Sequence, residues 1–386
     1  MSEQTPAKVY FTDFRTYGRQ SALVKLNRLC RKAGIETIDF DNKFVAIKLH
    51  LGEPGGTAYL RPNYVKAIVD LIRELGGKPF LTDCNTLYVG GRKNALDHLD
   101  SAYTNGFNPF CTGCHVIIAD GLKGTDDVEV PVMGGEFVEK AKIGRAIMDA
   151  DIFVSVTHFK GHEQAGFGGT IKNIGMGSGS RAGKMEQHSA GKPSVDQGAC
   201  IGCRQCAKIC AHDAFSFSPD PVRGGKHVLA SIDHDKCVGC GRCIAVCNQD
   251  AIQTDYDAAV DVLNDKMVEY AKAVVDGRPS FHVSLVMDVT PNCDCHNESD
   301  SAIVPNIGMF ASFDPVALDQ ACVDAVNAAP KLPGTELTDM EAKHPDDDQM
   351  DDHFHMVHPD TRWQEMLAHG EKIGLGTRSY ELITIR

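Results

Sequence analysis

Eight cysteines in two copies of one spacing constrain this chain more than any other feature. Residues 200–210 read CIGCRQCAKIC and residues 237–247 read CVGCGRCIAVC, so C-x2-C-x2-C-x3-C occurs twice at an interval of 37 (237 − 200). Two residues between cysteines let a tight loop aim successive thiolates at one cube of iron and sulfide. The fourth cysteine starts a helix and points the other way, toward the other cube. The spacing therefore predicts one four-iron cluster on Cys200, Cys203, Cys206 and Cys247 and a second on Cys237, Cys240, Cys243 and Cys210. A pair of zinc ribbons is the alternative; repetition of the whole spacing favours iron–sulfur clusters. The proline that usually follows the fourth cysteine is replaced by Ala211 and Asn248, which alters a turn and removes no ligand. Between the loops, AFSFSPDPVRGGKHVLASI reads as a hairpin about a Pro/Gly turn, and AIQTD follows the second loop. A segment this short has too little core to fold alone, and clusters would act as its staples.

The flanks belong to a different kind of structure. Strand-like runs (Val9–Phe14, Val45–Leu51, Pro79–Asp83, Val116–Ala119, Ile152–Val156) alternate with helical stripes (Ser21–Lys32, Tyr64–Leu75, Lys93–Asn105, Glu139–Ala150). After the cysteine block come a helix at Ala258–Val275, a strand at Phe281–Val289, helices at Pro315–Asn327 and Trp363–Lys372, and a strand at Tyr380–Ile385. This alternation predicts an α/β fold with a mostly parallel sheet covered by helices, interrupted by an inserted α+β, bacterial ferredoxin-like module with two [4Fe-4S] clusters. The expected division is 1–191 plus 258–386 for the discontinuous host and 192–257 for the module. A chain of 386 residues buries a full core unaided, so its 15 cysteines are not needed as staples. No apolar run is long enough to span a bilayer, the N-terminus MSEQTPAKVYFTDF has no signal pattern, and a cytoplasmic location is expected, where disulfides are rare. A net charge of −13 argues against a nucleic-acid binder. The acidic stretch Leu337–Asp352 reads as a solvated loop, with docking of a basic partner as the alternative.

Weaker constellations sit in the host. Cys111 and Cys114 in FCTGCH and Cys293 and Cys295 in NCDCH are two close pairs, each followed by a histidine, His115 or His296. Together they would make a third metal site, zinc or a third cluster, if the fold joins them; Cys293 and Cys295 alone would make a redox or nucleophilic thiol pair. Cys30, Cys84 and Cys322 read as small buried residues. In open α/β sheets ligands bind beyond the carboxyl ends of strands. That rule gathers Lys48 and His50, Asp83, Cys84 and Asn85, Asp120, and His158, Lys160 and His162 of HFKGH. Asp120 alone is better read as a turn or cap. The glycine-rich run EQAGFGGTIKNIGMGSGSRAGK, with Lys172, Asn173, Arg181 and Lys184, reads as a turned loop whose amides and lysines could hold an anion. It is neither a Walker A loop nor a dinucleotide fingerprint. His353, His355 and His358 read as surface histidines.

Three stretches, THFKGHEQAGFGGTIKNIGMGSGSRAGKMEQHS, the double cysteine block, and TPNCDCHNESDSAIVPNIGMFASFDPVALDQA, resemble the uncharacterised Fe–S centre protein family, which carries the domain of unknown function three-six-two with an inserted ferredoxin module. The resemblance covers nearly the whole chain. It implies a cytoplasmic, mostly anaerobic protein with two clusters on the eight named cysteines, and it implies no reaction. The expected function is an iron–sulfur electron-transfer protein, an oxidoreductase or a component of one, relaying electrons to a host site for a small anionic substrate or cofactor. Catalytic candidates there are Cys293, Cys295, His158, Lys160 and His162; binding candidates are Lys48, His50, Asp83, Asn85, Lys172 and Asn173. A pure adaptor for a redox protein partner, and a metallocofactor assembly factor using Cys111, Cys114, Cys293 and Cys295, are the alternatives.

Overall fold

The computed structural model describes residues 5–18, 20–88, 90–188, 192–254, 260–347 and 349–386. Its main sheet has eight strands: β1 (Ala7–Asp13), β2 (Phe44–Lys48), β3 (Lys78–Asp83), β4 (Val116–Ile118), β5 (Ile152–His158), β6 (Ser280–Val286), β7 (Gly308–Ser312) and β8 (Tyr380–Thr384). They lie in the order β8-β1-β7-β6-β5-β2-β3-β4. Every neighbouring pair is parallel except that β7 runs antiparallel to β1 and β6. Parallel strands buried on both faces read as continuous apolar runs. In β5, Val154 and Val156 face one core and Phe153 the other. Helices α1 (Ala22–Lys32) and α2 (Pro62–Glu74) cover the first face. On the opposite face lie α3 (Thr170–Ser178) and α5 (Pro315–Asn327), with α4 (Val260–Val275) packed on α3. Among the described residues, no helix is long and apolar enough to cross a membrane.

The sheet draws strands from both sides of residues 193–254. That stretch pairs only with itself among the described residues, Pro193–Val195 with Ile252–Thr254 and Phe215–Pro219 with Val228–Ile232. The hairpin expected between the cysteine loops is present. The expected junctions at 191 and 257–258, and the start of the helix expected at Ala258, lie outside the described residues.

Four local expectations are corrected. Glu139–Ala150 is not a helix: Lys140–Gly144 is a strand paired with Asp127–Pro131, followed by one helical turn, Arg145–Met148. Its burial alternates with period two, with Ala141 and Ile143 inside. The glycine-rich run is not a loop. It forms the hairpin Lys160–His162/Gly166–Gly168, then α3, then a helix at Arg181–His188. Its glycines permit close approach: a Cβ on Gly175 would lie 2.0 Å from the Met267 carbonyl oxygen of α4. Gly175→Ala should therefore push α3 off α4 and destabilise the fold by about 1–3 kcal/mol, read as a lowered denaturant midpoint with an unchanged slope. His353 is buried, and His358 Nε2 meets the Pro291 carbonyl at 2.8 Å, so these are not all surface histidines. The acidic stretch is partly structural, since it includes the helix Glu336–Lys343. Its last residue, Asp352, caps the helix His353–Val357 and accepts from Trp363 Nε1 at 2.7 Å.

Candidate functional site

Two small cavities in the 193–254 stretch are each walled by four cysteines. One is lined by Cys200, Cys203, Cys206 and Cys247, the other by Cys210, Cys237, Cys240 and Cys243. The fourth cysteine of each loop thus joins the other loop's cavity. The backbone repeats with the sequence interval: Gly202 and Gly239, Arg204 and Gly241, and Asp213 and Asp250 all have positive φ. Left-handed residues in such loops turn successive N–H groups inward, which suits a bound anion.

The two loops meet different surroundings. In the first, Ile201, Cys203, Arg204 and Gln205 are exposed. In the second, Gly239, Gly241, Cys243 and Ile244 are buried, and a Cβ on Gly241 would lie 2.7 Å from Arg181 Cγ and Cδ. Arg181 is itself fixed by the carbonyls of Lys123 at 3.1 Å and Thr86 at 3.0 Å. Leu87 and Met185 join the small apolar core around the cysteines. Lys93 donates to the Cys247 carbonyl at 3.1 Å and pairs with Asp250.

Beside this contact, and sharing Leu87 with it, lies a host cavity of about 460 Å³. Its wall includes Lys48, His50, Asp83, Cys84, Lys160, His162, Lys172, Asn173, Cys293 and Cys295. Nine of the eleven residues expected at the catalytic and binding positions are therefore brought together, around the carboxyl ends of β2, β3 and β5 and the loop after β6. The other two are not in the wall. His158 is held behind it by Asp294 at 2.8 Å from Nδ1 and the Met287 carbonyl at 2.8 Å from Nε2. Asn85 turns away to Asp120, its Nδ2 donating at 2.8 Å, and this fastens the turn after β4. Both serve as supports.

Five cations (Lys48, Arg92, Lys160, Lys172, Lys184) and two carboxylates (Asp83, Glu163) line the cavity. Lys48 Nζ lies 3.0 Å from Asp83 and 2.9 Å from Asn173 Oδ1, in space that a side chain on Gly177 would fill. Burial lowers its pKa despite the attraction of Asp83. At Asp83 burial acts upward, but Lys48, His98 and Arg92 hold the carboxyl below its ordinary value. Arg92 pairs with Glu53 at 2.8 Å and with the Tyr88 hydroxyl. Lys160 donates to the His158 carbonyl at 2.9 Å and faces Asp294 at 3.4 Å. The strand Lys160–His162 passes so close to the Cys293 loop that a Cβ on Gly161 would lie 1.9 Å from the Pro291 carbonyl oxygen.

His50 and His162 share one arrangement. His50 Nδ1 accepts from Gly52 N at 3.1 Å; His162 Nδ1 accepts from Gln164 N at 3.1 Å and Ala165 N at 3.0 Å. Burial lowers both, His162 to about 4, so each is neutral near pH 7 with its hydrogen on Nε2. Beside them, Lys172 Nζ lies 3.4 Å from Cys293 Sγ. The ligand atoms of His162, Cys293 and Cys295 lie within 4.8 Å of one another, as do those of Glu163, Cys295 and His296.

The four-cysteine third site is not assembled. Cys111 is exposed on the short helix Pro109–Thr112, while Cys114 packs into the core under α2, across the sheet from α3. Two residues after a tight turn carry Cys114 into the apolar layer, where it acts as the small hydrophobe expected of Cys30 and Cys322. The anion site expected in the glycine-rich amides is also displaced. The first N–H groups of α3 are taken by Asp319, from Thr170 at 2.6 Å and Ile171 at 2.8 Å, and the run meets the cavity through side chains such as Lys172, Asn173 and Lys184. Sequence reasoning missed Arg92, Tyr88 and Glu163. Arg92 sits in a Gly-Gly-Arg-Lys run that reads as an ordinary loop; Glu163, next to His162, carried the better signal.

Fold and site together define an α/β protein with a cysteine-rich segment set against a basic, thiol-bearing cavity. The chain belongs to the DUF362 family, a domain of unknown function whose model matches residues 45–324. A thylakoid-associated protein of Synechocystis sp. is 26% identical over 124 residues, 31% of this chain and 34% of that protein, so the match spans about a third of that relative. Among solved structures, the lactate racemase apoprotein from Thermoanaerobacterium thermosaccharolyticum is similar at 12% identity and a TM-score of 0.36, over 73% of this chain and 51% of that one. A protein from Thermotoga maritima is similar at 10% identity and a TM-score of 0.38, over 81% and 60%.

Proposed function

We propose that the chain is an iron–sulfur electron-transfer protein, an oxidoreductase or a component of one, whose 192–257 module serves a small-anion site in the 1–191 plus 258–386 host. The observation that carries this reading is the docking of the second cysteine loop on Arg181, because Leu87, which packs in the core around the cysteines, and Lys184, one helical turn from Arg181, also line the basic cavity. The residues fit two [4Fe-4S] clusters: Cys200, Cys203, Cys206 and Cys247 would hold one, Cys237, Cys240, Cys243 and Cys210 the other, each set walling its own cavity beside left-handed backbone. When bound, the clusters supply one-electron transfer at potentials tuned by hydrogen bonds and exposure. The first loop, exposed at Cys203, Arg204 and Gln205, suits contact with a redox protein partner, and the second, buried at Gly239, Gly241 and Ile244, suits the host.

In the cavity, Lys172 and Lys160 attract an anion, and the Nε2–H of His50 would donate to its oxygens, while His162 Nε2 faces Glu163 at 3.7 Å. The volume suits a small molecule. An adaptor alone gains nothing from such a cavity, and the transfer site of an assembly factor is not formed by the cysteines proposed for it. The test is calorimetric binding of small carboxylates and oxyanions to anaerobically purified protein. At least one should bind, and Lys172→Ala should weaken it about tenfold or more, the loss of one buried charge-assisted contact. Equal affinity of the variant, or binding of no anion, would sink the reading.

A further inference from the structure

We propose that Cys293 and Cys295 form a redox-active dithiol, a two-electron station in the wall of the anion cavity. The inference rests on the iron–sulfur reading above for its electron partners and on its own geometry for the rest. The sulfurs lie within 4.8 Å of each other. Residues Cys293–His296 form a tight turn, closed by His296 N donating to the Cys293 carbonyl at 3.0 Å. That turn keeps the two α-carbons closer than an extended chain would, and short separation is the first requirement of a disulfide. The intervening Asp294 is clamped by His158 and Lys160, and its carbonyl accepts from Glu53 N at 3.2 Å, so the loop is anchored on both sides.

The thiols are also unlike each other. The hydrogen bond to Cys295, together with burial, pushes Cys293 up to about 12, while the same bond lowers Cys295. The Lys172 ammonium lies 3.4 Å from Cys293 Sγ and favours loss of a proton from the pair. Oxidation of the two thiols breaks both S–H bonds and forms one Sγ–Sγ bond. It releases two protons to solvent and two electrons, one to each of the two iron–sulfur clusters that the eight module cysteines would hold. The reverse step takes up two electrons and two protons and restores both thiols. A catalytic disulfide of this transient kind is compatible with a reducing compartment.

The competing reading is a metal on His162, Cys293 and Cys295. His162 tells against it. A metal-bound histidine usually donates from its other ring nitrogen, whereas His162 Nδ1 accepts two backbone N–H groups, which leaves the hydrogen on Nε2.

The test poises the anaerobically purified full chain at a series of potentials, alkylates free thiols, and weighs the peptide containing Cys293 and Cys295 while iron is assayed in parallel. The pair should pass together from two alkyl groups to none as the potential rises, as a two-electron couple. Cys295→Ser should leave Cys293 alkylated throughout, with iron content unchanged. Two alkyl groups at every potential would overturn the proposal, as would a stoichiometric metal lost on Cys295→Ser. A normal iron content with a silent pair rejects the dithiol alone. A titrating pair in a chain without iron keeps the dithiol and rejects the cluster reading.

Discussion

A chain carrying Cys203→Ser and Cys247→Ser together should retain about four irons, whereas Cys240→Ser with Cys247→Ser should retain almost none. Both pairs remove two thiolates, and the second removes two from a single loop. The difference arises because Cys247 walls the cavity of Cys200, Cys203 and Cys206 rather than that of its own loop. Cys203 and Cys247 are then ligands of one cluster, and the second loss adds little to the first. Cys240 and Cys247 are ligands of different clusters, and both are lost. Iron and acid-labile sulfide assays on anaerobic protein read the outcome. Equal iron in the two variants would reject crosswise ligation. The low-iron chain should also lose protection of amide hydrogens in 193–254, because that stretch has only a small core of its own around the cysteines. The main sheet, whose core lies elsewhere, should keep its protection.

Asp83→Asn should cost about 3–5 kcal/mol of stability, the penalty of leaving buried charge uncompensated. Lys48 and Arg92 are each 1% exposed and lie 3.0 and 3.5 Å from the carboxylate, and His98 Nε2 is 3.7 Å away. Arg92 keeps Glu53, but Lys48 keeps only the Asn173 and Leu49 oxygens. Adding Lys48→Met should return part of the loss, since the two sites are coupled. The pH dependence has a definite sign. Burial works to raise Asp83, yet its cationic neighbours hold it below its ordinary value. Its contribution is therefore complete above the unfolded pKa near ~4 and is lost as pH falls through the lower folded value. Denaturant midpoints of wild type and Asp83→Asn should differ most near neutrality and converge in strong acid. A difference that grew on acidification would contradict this assignment.

The strand-end rule explains why much of the site could be read from sequence. Lys48, Asp83 and Lys160 stand at or just past the ends of parallel strands, and the fold sends all three into one cavity. His158 stands at a strand end as well, but an acceptor on each side of its ring turns it inward. That depends on Asp294 and Met287, more than a hundred residues away, and no local pattern carries it. The glycine-rich run misled for a related reason. Glycine signals a turn when considered alone, whereas Gly175 and Gly177 sit in a helix and leave room for the Met267 backbone and the Lys48 ammonium. The cysteine block was legible because its spacing is written out in each loop and repeated, and the close approach of Gly241 to Arg181 was not, because it joins two segments that only the fold brings together.

The most direct test of the account counts iron and acid-labile sulfide in the anaerobically purified full chain, with electron paramagnetic resonance after reduction. About eight irons and eight sulfides per chain are expected, with a spectrum of two interacting four-iron clusters. Zinc in place of iron, without sulfide, would contradict it.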